Sequence, residues 1–126
     1  MKFPEKLDVL MVHAMLIAET GGTSGIRDEA LLESALTAAE NRNHYESADA
    51  VRCAATYAYH LTQSHAFLDG NKRVAAAVTE TFLETNGFEL LMTDEEIVVL
   101  FLAIASSELS REQVEQRLSE KVKPKN

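Results

Sequence analysis

Apolar residues return every three or four positions along almost the whole chain, and no stretch alternates apolar with polar residues as a half-buried strand would. Helices are then the elements, and helix-on-helix packing is what can bury their stripes. Leu7, Leu10, Met11, Ala14, Ile17 and Ala18 predict a first helix to Thr20, stopped by Gly21-Gly22, with His13 off the main stripe as a structural or solvent-facing residue. The loop from Gly21 to Gly25 holds three glycines in five residues and reads either as turn chemistry or as a ligand cradle, without the spacing or lysine of a P-loop. Asp28 is placed to cap a second helix with Leu31, Leu32, Ala35, Leu36 and Ala39 inward, beside Arg27 as a surface or loop-pinning residue. The polar run 41–47 breaks the period and predicts a connection between helices, a candidate substrate-facing flap.

Val51, Ala54, Ala55, Ala58 and Leu61 mark a third stripe ending near Gln63, and Val74, Ala77, Val78, Phe82 and Leu83 a fourth helix from about Asn71 to Thr85. Asn86-Gly87 closes it. Phe88 to Met92 is an extended piece too short to build a sheet. Thr93 with Glu96, and Ser110 with Gln113, are capping boxes that open a fifth and a sixth helix, and 121–126 reads as a frayed tail. At 126 residues the expectation is one all-α domain, 1–126: a compact bundle of about six helices with a loop between the two central ones.

Twenty acidic against twelve basic side chains leave a formal charge of −8, which argues against nucleic acid or an anionic membrane surface as a partner, so any anion site must be local. The longest apolar run, Ile97 to Ala105, has nine residues, against the roughly 18 of a membrane span. The charged start, with no apolar run after it, does not read as a signal peptide, and the lone Cys53, expected to be a buried small hydrophobe, fits a reducing cytoplasm.

The loop between the central helices is His65-Ala66-Phe67-Leu68-Asp69-Gly70-Asn71-Lys72-Arg73. A turn that opens a helix leaves N–H groups free at the positive end of the helix dipole, a place that suits phosphate. Around a nucleoside triphosphate, His65 could take a proton from an attacking hydroxyl, and Asp69 is a hard oxygen ligand for Mg²⁺. Gly70 lets the backbone approach the anion, while Asn71, Lys72 and Arg73 offer an amide, a point charge and a bidentate fork. Phe67 is expected to anchor the loop in the core. The same residues also make an ordinary turn before an exposed helix start, and spacing alone does not choose between the two.

The nine residues resemble the signature of the Fic/Doc (Fido) family, His-x-Phe-x-Asp/Glu-Gly-Asn-x-Arg, at every defining position. Gly-Ile-Arg-Asp at 25–28, Leu-Leu-Glu-Ser-Ala-Leu at 31–36, Tyr45 and Asn-Gly at 86–87 look like the small death-on-curing branch. The resemblance implies transfer of a phosphate-containing group from ATP to a protein hydroxyl, with His65 as base, Asp69 as Mg²⁺ ligand and Gly70, Asn71 and Arg73 as phosphate loop. Lys72 stands where AMP-transferring members typically have a second glycine, and Doc-like toxins carry lysine there. That favours a kinase-type toxin acting on a Ser/Thr hydroxyl of a target such as a translation elongation factor. AMP transfer is the alternative, and a non-catalytic helical binding module the second alternative. No Ser/Thr-x-x-x-Glu-Gly/Asn string of the self-inhibiting members occurs, so the resemblance implies restraint by a separate, Phd-like antitoxin.

Overall fold

The computed structural model describes residues 1–126. Six helices follow one another: α1 (Lys6–Thr20), α2 (Glu29–Glu46), α3 (Ala50–Gln63), α4 (Asn71–Thr85), α5 (Asp94–Ala105) and α6 (Arg111–Ser119). Between and after them lie two short strands, β1 (Phe88–Leu90) and β2 (Val122–Pro124). The chain is the expected mostly-helical bundle, and its centre is α3. Cys53 to Ala58 are all buried there, and the small side chains of Ala54, Ala55 and Ala58 let α2, α4 and α6 approach closely. Tyr57 lies against Phe82 of α4, and Leu32, Leu61, Val74, Leu83, Ile104, Val114 and Leu118 close the core.

The helix starts follow the sequence signals. The Asp28 side chain accepts from the Leu31 N–H at 3.1 Å and Asp49 from Arg52 at 2.9 Å, while Thr93–Glu96 and Ser110–Gln113 form reciprocal capping boxes. Cys53 is fully buried, as expected of a small hydrophobe. No helix is long and apolar enough to cross a membrane.

Three expectations need correction. First, 41–47 is not a connecting loop: α2 runs on to Glu46, because the polar residues there lie mostly on its exposed side while Arg42 turns inward. A buried guanidinium must be paired. Arg42 donates to Thr56 Oγ1 at 2.8 Å and to Glu115 Oε1 at 3.0 Å, tying α2 to α3 and α6. Because α2 begins beside the signature stretch and rises about 25 Å along its axis, Tyr45 to Ser47 lie at the opposite end of the bundle and cannot fold over that stretch as a flap.

Second, the tail is not frayed. β2 pairs antiparallel with β1 in the register Phe88↔Pro124, Glu89↔Lys123, Leu90↔Val122, and the opposite charges of Glu89 and Lys123 face each other. Third, α1 buries a different stripe. Val9, His13 and Ile17 face inward, while Leu7, Met11 and Met15 are more than half exposed. This helix is apolar on more than one side, so its own periodicity does not select the face that packs.

Removing 121–126 should lower Tm by about 3–6 °C, the shift expected for roughly 1 kcal/mol in a domain of this size. An unchanged melting curve would mean that β2 contributes nothing.

Candidate active site

The signature stretch leaves the end of α3, crosses the mouth of the bundle and enters α4. Its first residue, His65, has an exposed side chain and a left-handed backbone, φ 50°, a region that histidine tolerates better than most residues. Arg27 holds it there, donating through Nε to the His65 carbonyl at 2.6 Å and through Nη2 to that of Ser64 at 3.2 Å. The loop-pinning reading of Arg27 is therefore right. Further along, the Arg27 and Asp28 N–H groups both donate to the Ala66 carbonyl, and Leu68 N–H donates to Gly25 O. The segment between α1 and α2 is thus laced to the signature stretch by backbone bonds.

Phe67 is buried, as expected, and is held from two sides. Asn71 accepts from the Phe67 N–H with Oδ1 and donates to the Phe67 carbonyl with Nδ2, both at 3.0 Å. Its side-chain amide is thereby used at both ends, and the group it leaves for an anion is its backbone N–H. On the other side the His13 ring stacks on Phe67, centroids 3.9 Å apart and planes 11° from parallel. Its Nε2 lies 2.8 Å from the Asp69 carbonyl oxygen. His13, read from sequence as a structural or solvent-facing residue, is buried and forms a floor of this site. The available signal was the four-residue spacing of Val9, His13 and Ile17.

Asp69 is half-exposed, and its carboxylate is tied to the glycine loop. Oδ2 accepts from the Thr23 N–H at 3.1 Å, Oδ1 accepts from Gly70 N–H at 2.8 Å, and Arg73 Nη2 stands 3.7 Å away. The two backbone bonds, first that of Thr23, hold the Asp69 carboxyl below the usual carboxylate range, with Arg73 and His13 adding to them. Arg73 also donates to Thr20 Oγ1 and to the Gly21 carbonyl, so it rests at the end of α1. Gly22, at φ 118°, must be glycine, since a Cβ would sit 2.6 Å from Asp69 Oδ2. Turn chemistry and closeness to the site both describe this loop.

Gly70, φ 79°, is the N-cap of α4 and has no side chain with which to cap it. A Cβ there would meet the Ile17 Cδ1 methyl tightly at 3.2 Å and His13 Nε2 at an ordinary 3.6 Å, so the positive φ carries most of the preference for glycine. Asp28, Asp49, Thr93 and Ser110 give α2, α3, α5 and α6 an N-cap side chain that accepts from the first turn, whereas at α4 only the Gly70 N–H is taken, by Asp69 Oδ1. The first N–H groups of α4 keep the positive end of its dipole open, with Lys72 and Arg73 in the same turn.

Lys72 is exposed, and with Arg73 it marks one end of a groove of about 1050 Å³ between α1, α4 and α5. The floor includes Leu16, Ala76, Ala77, Ile97 and Phe101, and Glu19, Glu80, Glu84 and Asp94 bring acid to its walls. Burial, then Glu84 and Asp94, push the Glu80 carboxyl above its usual range. No three His, Cys, Asp or Glu side chains converge into a metal cluster.

Compared with models of known protein families, the chain matches the Fic/DOC family over residues 4–83, more than half its length. No curated protein matches it. The chain belongs to the Fic/DOC family, whose members are transferases acting on protein hydroxyls. The match covers α1 to α4 almost completely and includes the whole signature stretch and the glycine loop laced to it.

The two shifted carboxyls have opposite consequences for stability. Asp69, depressed in the folded state, stabilises above the unfolded carboxylate range, and the contribution is lost as pH falls through its folded value. Glu80, raised, is destabilising at neutral pH and is relieved as it takes up a proton. Asp69→Asn should therefore lower Tm at pH 7, with the deficit closing below about pH 4. Glu80→Gln should raise Tm at pH 7 and gain little at that lower pH. Thermal melts of both variants across pH check the pair of signs.

Proposed function

We propose that this protein is a Doc-like kinase-type toxin, which transfers the terminal phosphate of ATP to a Ser/Thr hydroxyl of a target protein such as a translation elongation factor. The observation that carries the proposal is the uncapped start of α4, entered from Asp69 and carrying Lys72 and Arg73 in its first turn. His65 takes the proton of the target hydroxyl, the freed oxygen bonds to the terminal phosphorus, and the bond from that phosphorus to the bridging oxygen breaks, leaving ADP. The backbone N–H groups after Gly70, with Lys72 and Arg73, hold the phosphates, and Asn71 adds its backbone N–H while its side chain keeps the loop in shape. Arg73 exchanges its present partners, Thr20 and Gly21, for phosphate oxygens.

The donor set fits Mg²⁺. One half-exposed carboxylate, Asp69, suits an ion that keeps several waters and takes its other oxygens from phosphate, and the ion would supply charge neutralisation there. Lys72 supports phosphate over AMP transfer, because a cation in place of a second glycine crowds and recharges the cradle. The groove beside Lys72 and Arg73 supports a separate antitoxin as partner: an apolar floor under acidic walls fits an amphipathic helix with basic edges. A cytoplasmic setting belongs to the same proposal.

Incubating protein and target with ATP labelled at the terminal or at the first phosphate should leave only the terminal label on the target. Label from the first phosphate would make the protein an AMP transferase. His65→Ala should lose at least about a hundredfold in transfer; unchanged toxicity in that variant would favour a binding module, and unchanged transfer would rule out His65 as the base.

A further inference from the structure

The signature lies on the stretch between α3 and α4, yet the group that fixes its central peptide comes from α1. We propose that His13 is a positioning residue: its Nε2–H, donated to the Asp69 carbonyl, locks the Asp69–Gly70 peptide so that this carbonyl stays turned away from the anion site and the Gly70 N–H stays on the Asp69 carboxylate. This rests on the reading of the α4 start as the phosphate site.

A carbonyl oxygen can only accept, so at 2.8 Å the hydrogen of the bond must sit on His13 Nε2. The Asp69–Gly70 peptide is trans, as are all the others, so a carbonyl held toward the floor turns the Gly70 N–H the opposite way. There it now donates to Asp69 Oδ1. Gly70 itself gives this peptide little resistance to flipping, because glycine occupies both signs of φ readily. A flip would present a carbonyl oxygen to the anion in place of an N–H. What opposes it is the imidazole, together with the bond from the Gly70 N–H to Asp69 Oδ1. The imidazole plane is set by the stack on Phe67, whose backbone is in turn clamped by Asn71.

His13 is only 5% exposed, and its Nε2 lies 2.8 Å from the Asp69 carbonyl oxygen. A plain core filler needs the ring's volume and nothing more. A positioning residue needs the donor at that atom.

His13→Phe keeps the ring and its stack but removes the donor, and His13→Gln supplies an N–H donor without the ring. The ¹⁵N spectrum of the wild-type imidazole should show the hydrogen on Nε2. In His13→Phe the Gly70 amide resonance should move while amides of α3 stay in place, and the affinity for ATP with Mg²⁺ by calorimetry should fall about tenfold, as for other groups that orient a binding residue. His13→Gln should recover part of both. A bare Nε2, or a His13→Phe protein with an unmoved Gly70 amide and unchanged ATP affinity, overturns the proposal. If His13→Phe does not fold, the wild-type ring spectrum and His13→Gln still decide. If the wild type itself does not bind ATP, the phosphate-site reading fails, whereas the Gly70 resonance still reports on His13.

Discussion

A helix that starts without a cap leaves N–H groups in need of an acceptor. Four of the six helices meet that need with the side chain of their N-cap residue, and α4 begins at a left-handed glycine that has none. The left-handed backbone at 70 favours glycine, Ile17 beneath it would make a Cβ tight, and the glycine leaves the start of α4 without a capping side chain. Catalytic sites commonly give up local stability in this way, and here that cost is spread over the bonds that hold the loop's shape.

Those bonds come from outside the signature. Arg27 fixes the carbonyls of Ser64 and His65, and Asp28 both caps α2 and donates its N–H to Ala66. Thr23 and Gly22 close on the Asp69 carboxylate. The segment between α1 and α2 thus supports the signature stretch as directly as the stretch's own residues do. The same contacts keep Asp69 ionised and Arg73 parked. Any anion that enters must compete with Thr20 and Gly21 for that guanidinium.

Much of this was readable from sequence where the determinants are local. Gly70 and Asn86-Gly87 bracket α4 at the residues expected, and Asp28, Thr93 and Ser110 cap the helices they were expected to cap. What escaped depends on partners far along the chain. Arg42 looks like a loop residue until Glu115 is beside it, and Phe88 to Leu90 form a strand only because 122–124 returns to pair with them. The buried face of α1 carries His13, whose partner is the Asp69 carbonyl 56 residues away, and other faces of this helix are also apolar enough to pack. Side-chain identity also hid direction: Asn71 suggested an amide for phosphate, and its amide turns to Phe67.

The central claim is that the open start of α4 is a phosphate site. Hydrogen exchange of the individual amides, with and without ATP and Mg²⁺, tests it most directly. If phosphate binds there, added nucleotide slows exchange at Asn71, Lys72 and Arg73, with smaller changes elsewhere. No protection at these amides under saturating nucleotide, or protection confined to the groove between α4 and α5, would contradict it.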